Sequence, residues 1–213
     1  MKLVITMDQG KIILISGPSG VGKGTVVKEI VKDQKYALSV SVTTRNPREG
    51  EIDGVNYFFT TKEDFLRRIE NNLMLEYAQY NGNFYGTPKD YVEQTVAQGK
   101  NIILEIEVQG VEQVKKLIPE AVSIFIMPDK SGVIEHRLRK RGTEDEQTIQ
   151  NRLKIALDEM KQAHKYDYIV INGELERCIE DIKSVINAEQ YKKDNMLDFV
   201  KGVLENDEKT LCQ

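Results

Sequence analysis

The residues best suited to chemistry stand together near the start of the chain, in the stretch GPSGVGKGT at positions 17–25. An apolar run, KIILIS, precedes this stretch, and a helical pattern, TVVKEIVKD, overlaps its end. A strand, a glycine-rich turn and a helix form the context in which the spacing G-x-x-x-x-G-K indicates a phosphate-binding loop. Its amides turn inward around a phosphate, and the helix N-terminus favours the negative charge.

The loop predicts contacts with the phosphates of a nucleoside triphosphate, with Lys23 reaching the terminal ones. The residues expected to take part are Gly17, Pro18, Ser19, Gly20, Val21, Gly22, Lys23, Gly24 and Thr25. The alternative is a tight strand-to-helix turn that binds nothing. Gly24 occupies the position where a Ser or Thr commonly helps to hold Mg²⁺. Thr25 is therefore the candidate metal residue, acting through water, or else it only caps the helix.

A second anion site is indicated by the segment SVSVTTRNPREGEIDGVNYFF. It brings Arg45 and Arg48 close together, with Tyr57 downstream. Guanidinium forks and a phenol can fix a phosphate through several charge-assisted hydrogen bonds. Two arginines alone are more typical of a solvated loop, but both interpretations stay open beside a phosphate loop in the same domain.

A carboxylate suited to reading a base follows in the stretch LEYAQYNGNFYGTPKDYV, which contains Glu76, Tyr85 and Thr87. A carboxylate accepts two hydrogen bonds side by side, which matches the N1–H and N2–H₂ groups of guanine, whereas adenine offers no such pair. The alternative for Glu76 is a surface carboxylate. For the tyrosines it is partial core packing, which is compatible with a binding role.

Two further charged groups are candidates for the site. In NIILEIEVQG, Glu105 and Glu107 are two residues apart on a predicted strand, so their side chains share a face at the strand end where α/β folds bind ligands. An exposed structural pair is the alternative.

Arg137 and Arg141 share a helix face, and Arg152 lies on the next helix. Such arginines can close over a transferring phosphoryl group, although a solvated basic face is the commoner meaning of RLRKR.

The composition restricts the class of protein. The chain has 213 residues, of which 40% are hydrophobic and 30% charged, which indicates one globular domain. A net charge of -4 gives no overall basic field, so nucleic-acid binding is not expected. Apolar runs of about 18 residues are missing, so no membrane span is expected. Cys178 and Cys212 lack metal-ligand spacing, and a reducing cytoplasm is the expected location.

Strand-like and helical runs alternate along the chain, which predicts an α/β fold with a mostly parallel sheet. We expect one domain over 1–213, and its proposed parts share this single fold. They are a core (1–38, 89–128 and 166–190), a β-rich insert that binds a second substrate (39–88), a helical lid (129–165) and a tail (191–213). A capping box is predicted to start the second lid helix at Thr143, with Glu146 three residues later. The last core helix is predicted over 175–190.

Taken together, GPSGVGKGT, SVSVTTRNPREGEIDGVNYFF, EYAQYNGNFYGT, LEIEVQG and RLRKRG followed by IQNRL resemble the guanylate kinase family, over about residues 11–172. The resemblance implies a three-layer P-loop kinase with a small β-rich GMP-binding insert and a helical lid. It implies transfer of a phosphoryl group from ATP to GMP with Mg²⁺ as cofactor, and dGMP as a further acceptor. The expected assembly is a monomer or a homo-oligomer.

The resemblance also implies roles for single residues. Ser41, Glu76 and Thr87 would read the guanine, and Glu105 and Glu107, which stand where many relatives have aspartates, would contribute to the same GMP site. The GMP phosphate would be held by Arg45, Arg48, Tyr57 and Tyr85. Catalytic roles are implied for Lys23, Arg45 and the lid arginines Arg137, Arg141 and Arg152.

Two other functions compete with this one. A kinase of the same architecture could act on another small phosphorylated acceptor, but it would give Ser41, Glu76 and Thr87 no reason to occur together. Some guanylate-kinase-like scaffold domains bind peptides and have lost catalysis. Such a domain is expected to lack a working phosphate loop or the lid arginines, whereas this chain carries both.

Overall fold

The structure is a computed structural model that describes residues 10–80, 82–142 and 145–211. Its strands are β1 (Ile12–Ser16), β2 (Tyr36–Leu38), β3 (Val42–Thr43), β4 (Phe58–Phe59), β5 (Met74–Tyr80), β6 (Asn83–Pro88), β7 (Asn101–Glu105), β8 (Val122–Pro128) and β9 (Tyr168–Asn172). Its helices are α1 (Lys23–Ile30), α2 (Lys62–Glu70), α3 (Lys89–Ala97), α4 (Val108–Leu117), α5 (Val133–Arg141), α6 (Glu146–Met160), α7 (Leu175–Gln190) and α8 (Lys193–Leu211).

A five-stranded sheet in the order β2-β7-β1-β8-β9 forms the centre of the fold, and its pairings are parallel. β1 is buried along its whole length because helices cover both faces of the sheet. One face packs against α1 and α7, and the other against α3 and α4. The predicted α/β fold with a mostly parallel core sheet is therefore confirmed, and it has three layers.

A second sheet of four strands in the order β4-β3-β6-β5 lies within residues 42–88. β6 pairs antiparallel with both β3 and β5, whereas β3 and β4 are parallel. A small apolar cluster around Val42, Phe65 and Met74 joins this sheet to α2. The run YALSVSVTT at positions 36–44 is divided between the two sheets, since β2 pairs with β7 and β3 pairs with β6.

Helices α5 and α6 share an apolar cluster of their own, built on Ile134, Leu138, Ile149 and Ala156. The predicted capping box is not how α6 begins. Thr143 lies outside the described residues, and Asp145 is the N-cap, whose side chain accepts a hydrogen bond from the Thr148 amide. Asp145 provides a carboxylate next to the first turn, where it both accepts an amide proton and complements the helix dipole.

The C-terminal part of the chain is helical. α7 covers Leu175–Gln190 as predicted, and its inner face contacts the core through Cys178, Ile182 and Ile186. α8 follows it and exposes several apolar side chains. Across the described ranges, none of the helices combines the length and the apolar character that crossing a membrane requires. Cys178 is a buried free thiol, and Cys212 lies outside the described residues.

Candidate active site

The glycine-rich loop leaves the carboxyl end of β1, the middle strand of the five-stranded sheet. Gly22 is the N-cap of α1 and adopts a left-handed conformation with φ of 100°. A Cβ atom at this position would lie 3.0 Å from Nδ2 of Asn172. A side chain here would therefore meet both backbone strain and a close neighbour, which explains glycine at this position of the loop.

The N-terminus of α1 is available to an anion. Its N-cap makes no side-chain hydrogen bond, and its first turn contains no acidic residue. The partial positive charge of the helix end therefore faces the loop without compensation from the helix itself. This geometry is that of a phosphate site built mainly from main-chain groups.

Cationic and amide side chains surround the loop and bond to it. Lys23 Nζ donates to the Gly17 carbonyl, and Arg137 Nη1 donates to the Val21 carbonyl. Asn172 Nδ2 donates to the same Val21 oxygen at 2.7 Å. From α6, Arg152 Nη2 donates to Ser19 Oγ at 2.7 Å. Arg141 ends α5, and its side chain lies outside what the structure describes.

Glu159 on α6 also contacts the loop, through Oε2, which accepts a hydrogen bond from the Ser19 amide at 2.9 Å. Burial raises the pKa of this carboxyl, and the hydrogen bond from Ser19 opposes that rise. A carboxylate thus occupies one of the loop amides in this structure. Together with Arg152, it joins α6 to both the main chain and the side chain of Ser19.

A cleft of about 440 Å³ opens beside the loop. Loop and helix residues line one side of it, and the end of β9 and the start of α7 line the other. The lining residues are Gly20, Gly22, Thr25, Arg137, Lys140, Asn172, Gly173 and Leu175. This volume is within the range of small-molecule and cofactor sites.

The prediction that Glu105 and Glu107 lie on one strand is wrong. β7 ends at Glu105, and Glu107 is the N-cap of α4. The chain leaves the sheet between them because the amide of Val111 already donates to the Glu107 carbonyl in a helical bond. Both residues are exposed at the strand exit, which was the alternative location for this pair.

Glu105 lies between the loop and the second sheet. Partial enclosure of its carboxyl raises its pKa, and the nearby Lys23 ammonium opposes this rise. The pKa of Tyr57 is also raised, first by burial of the phenol and then by Tyr85, while the Arg45 guanidinium opposes the rise. Glu105 also lies close to the loop, since a Cβ atom at Gly24 would be 3.6 Å from its Oε1.

Glu76 is buried on β5, where its side chain meets that of Thr87 on β6. The Thr87 hydroxyl donates to Glu76 Oε1 at 2.7 Å. Burial raises the pKa of Glu76, which the hydrogen bonds from Thr87 partly offset. Among the described residues, no hydrogen bond to Glu76 Oε2 is seen, and a buried carboxylate with such an oxygen is a strong acceptor for a ligand that brings N–H groups.

Arg45 is fixed by an acidic partner that sequence reasoning missed. Its Nη2 donates to both carboxylate oxygens of Glu51, at 2.8 and 3.0 Å. The Arg48 amide also donates to Glu51, at 2.7 Å, while the Arg48 residue is exposed. The guanidinium carbon of Arg45 lies 5.5 Å from the centre of the Tyr57 ring.

Tyr57 and Tyr85 meet edge to face, with ring centres 6.1 Å apart. Ser41 precedes β3, and its carbonyl accepts a hydrogen bond from the Phe58 amide at 2.9 Å. The structure therefore places the predicted acceptor residues in two groups on the second sheet, one at Glu76 and Thr87 and the other at Arg45, Tyr57 and Tyr85.

The structure adds residues that the sequence did not single out, notably Glu51, Glu159 and Asn172. Asn172 is buried at the carboxyl end of β9. β9 is two strands away from β1 in the sheet. A polar residue at the carboxyl end of such a parallel strand is a sequence signal for a ligand-binding residue. Glu51 contacts Arg45, six positions away, and Glu159 contacts Ser19, 140 positions away. No spacing in the sequence could have indicated the contact of Glu159.

Comparison with known proteins agrees with this geometry. A family model described as guanylate kinase matches residues 9–189. A guanylate kinase from Bacillus anthracis is 47% identical over 199 residues, which cover 92% of this chain and 97% of that protein. One from Bacillus subtilis (strain 168) is 46% identical over 200 residues, which cover 93% and 98%.

The fold agrees as well. The crystal structure of guanylate kinase from Anaplasma phagocytophilum superposes with a TM-score of 0.69 at 34% identity, covering 88% of this chain and 91% of the other. The family match extends through the glycine-rich loop, the second sheet and the paired helices α5 and α6. This chain belongs to the guanylate kinase family.

Proposed function

We propose that this chain transfers the terminal phosphoryl group of ATP to GMP, giving ADP and GDP, with ATP on the glycine-rich loop and GMP on the second sheet. One observation carries the assignment of the two sites. A Cβ atom at Gly24 of the loop would lie 3.6 Å from Glu105 Oε1, and a Cβ atom at Gly110, five residues after Glu105, would lie 3.0 Å from Glu76 Oε2. One short segment at the end of β7 therefore borders both the glycine-rich loop and the second sheet. In-line transfer needs two anion sites that meet in this way.

The donor site would use the main chain of residues 17–25. Lys23, which donates to the Gly17 carbonyl in this structure, would exchange that partner for the phosphates of ATP. The cleft of about 440 Å³ would receive the nucleoside. Asn172 would keep its bond to Val21 and so hold the loop open for the phosphates.

The acceptor base would be read by Glu76. Its carboxylate would accept hydrogen bonds from N1–H and N2–H₂ of guanine, an arrangement that adenine cannot satisfy. Because a hydroxyl has one proton and that of Thr87 is donated to Glu76, we assign to Thr87 the orientation of the carboxylate. The hydroxyl of Ser41 would then donate to O6.

The acceptor phosphate would be bound by the group around Arg45. Glu51 presents the Arg45 fork in a fixed direction through two hydrogen bonds, which reduces the conformational freedom lost on binding. Arg48, Tyr57 and Tyr85 would complete the site. Glu105 and Glu107 would remain at its border, where their charge favours ligands that bring hydrogen-bond donors.

Closure is part of the proposal. We assign residues 39–88 to a mobile GMP-binding insert and 129–165 to a lid, with the remainder as core and tail. Arg137, Arg141 and Arg152 would then surround the phosphoryl group as its bond to the ADP oxygen breaks and the bond to a GMP phosphate oxygen forms. Closing the site would exclude water, which would otherwise accept the phosphoryl group.

The residues around the loop fit a magnesium ion held mostly by the nucleotide. Within the described ranges, no group of three or more His, Cys, Asp or Glu side chains is arranged to bind a metal. Mg²⁺ at phosphate sites keeps several waters and takes few protein ligands. Thr25, and the Glu105 carboxylate near Gly24, would supply oxygen ligands, directly or through water. The ion would neutralise charge on the phosphates.

The proposal extends to dGMP as an acceptor, because none of the roles assigned above involves the ribose 2′-hydroxyl. A cytoplasmic location is proposed from the nucleotide substrates and from the free thiol of Cys178. Either a monomer or a homo-oligomer is compatible with a site built from one chain.

The test is ADP production from Mg·ATP with GMP, dGMP, AMP, CMP and UMP offered separately, beside a control without acceptor. Turnover confined to the two guanine nucleotides is expected. Turnover with AMP equal to that with GMP would overturn the role of Glu76, and turnover with none would overturn the reaction.

A further inference from the structure

Helix α4, which belongs to the central fold, contacts the free edge of the second sheet. β5 is the edge strand of that sheet, so alternate main-chain groups along it lack a strand partner. At Tyr77 this edge is completed by a side chain. Gln113 Oε1 accepts from the Tyr77 amide at 3.1 Å, and Gln113 Nε2 donates to the Tyr77 carbonyl at 3.0 Å.

This pair of hydrogen bonds imitates a neighbouring strand over one residue. A primary amide presents a donor and an acceptor side by side, which matches the outward N–H and C=O of a single strand residue. The residue it holds is adjacent to Glu76. Gln113 thereby fixes the distance between α4 and the main chain of β5 next to Glu76.

Gly110 approaches the Glu76 side chain itself. It is buried on α4, three residues before Gln113, and so on the same helix face. A Cβ atom at Gly110 would lie 3.0 Å from Glu76 Oε2 and 3.4 Å from its carboxyl carbon. Glycine destabilises a helix interior relative to alanine, and this close approach explains why glycine is nevertheless present here.

We infer that Gly110 and Gln113 are positioning residues for base selection, which set the location of the Glu76 carboxylate from the helix behind it. The inference rests on the proposed role of Glu76 as the reader of guanine. The carboxylate is then held from three directions: by Thr87 at Oε1, by the close surface of Gly110 at Oε2, and by Gln113 through the main chain.

The 2-amino group of guanine is the part of the base whose hydrogen bond depends most on the position of the Glu76 carboxylate. Inosine monophosphate keeps N1–H and O6 but lacks the 2-amino group, so the preference for GMP over IMP measures the second hydrogen bond to Glu76. A displaced carboxylate loses alignment with two donors more readily than with one. The preference is therefore expected to fall when the support from α4 is changed.

The first experiment compares Gly110→Ala with Gly202→Ala. Gly202 lies in helix α8, and a Cβ atom there would have no neighbour within 4 Å among the residues that the structure describes, so its substitution is a matched control. For Gly110→Ala we expect the ratio of kcat/KM for GMP to that for IMP to fall about tenfold or more, since small displacements of reacting groups can cost about 100-fold. The KM for ATP should stay unchanged, and Gly202→Ala should match the parent protein in both.

The second experiment compares Gln113→Ala with Gln109→Ala on the same helix. Gln109 is exposed, and no hydrogen bond of its side chain is seen among the described residues. We expect Gln113→Ala to lower the GMP to IMP ratio about three- to tenfold, as fits the loss of two ordinary hydrogen bonds. This variant removes a partly exposed side chain, so it tests the inference even where Gly110→Ala fails to fold.

Glu76→Gln is measured in the same assay to separate the base-reading role of Glu76 from the positioning role of Gly110 and Gln113. If Glu76→Gln lowers the ratio while Gln113→Ala and a folded Gly110→Ala leave it unchanged, the positioning role is wrong and the base-reading role stands. If Glu76→Gln leaves the ratio unchanged, the base-reading role is wrong. A fall in all three, with ATP kinetics preserved in the α4 variants, supports both.

Discussion

The two proposed phosphate-binding regions of this molecule are built in opposite ways. The donor region is one continuous stretch, 17–25, whose binding groups are main-chain amides at the start of α1. The acceptor region would use side chains spread over residues 41–87, which meet only because the strands of the second sheet pair with one another. Backbone conformation therefore determines the donor site, whereas tertiary structure determines the acceptor site.

The two regions also differ in the partners of their cationic side chains. Lys23, Arg137 and Arg152 all bond to atoms of the glycine-rich loop itself. Arg45 instead has a carboxylate partner, Glu51, with which it forms a partly buried ion pair. In the proposed function, the donor cations would exchange a neutral loop atom for a phosphate, whereas Arg45 would bind phosphate while it keeps or shares its acidic partner.

The largest effect that separates the two regions is expected from Lys23→Ala. The substitution removes a positive group from the transferring phosphoryl and should lower kcat about 100- to 1,000-fold, as loss of a transition-state donor commonly does. Steady-state ADP production measures it. Lys28→Ala, an exposed lysine in the last turn of the same helix, is the control and should retain full activity. A loss smaller than about threefold at Lys23 would contradict the assignment.

A smaller effect is expected at the acceptor phosphate from Arg45→Lys. An ammonium keeps the charge but loses the fork that pairs with Glu51 and with phosphate. We expect KM for GMP to rise about tenfold with little change in KM for ATP. Arg67→Lys, an exposed position on α2, serves as the control in the same initial-rate measurements. Equal increases in both KM values would indicate a general loss of structure instead of a role in the acceptor site.

The smallest effect concerns stability. Burial raises the pKa of Glu76 in the folded chain above its ordinary value of 4.5. At pH values between the pKa of the unfolded state and that of the folded state, the folded state therefore binds more protons than the unfolded state. The free energy of unfolding therefore falls as pH rises through the folded pKa. Glu76→Gln removes this titration and should gain roughly 1 kcal/mol over the parent protein at about pH 7, and less at about pH 4.5. Urea unfolding at both pH values measures the difference, and a constant difference would contradict it.

The strand, glycine-rich loop and helix of the proposed donor region could be predicted from sequence because the information for them is local. Glycine spacing, the preceding apolar run and the lysine all lie within a few residues of one another. The alternation of strands and helices likewise predicted the parallel sheet and α7, since periodicity reflects which faces are buried.

Other features depend on contacts that a sequence does not display. Glu107 was expected on a strand because NIILEIEV alternates, yet it caps α4, since hydrogen bonds of the following helix took precedence. The bond from Ser19 to Glu159 joins residues far apart in sequence. Gln113 gives no sequence signal either, because its function depends on β5 being an edge strand.

The central claim is that donor and acceptor nucleotides occupy separate sites, and calorimetric titration tests it most directly. GMP and a non-hydrolysable ATP analogue would each be titrated into the parent protein, Lys23→Ala and Glu76→Gln. We expect Lys23→Ala to weaken binding of the ATP analogue while GMP affinity stays within about twofold, and Glu76→Gln to do the reverse. Equal weakening of both ligands by either substitution would contradict the claim.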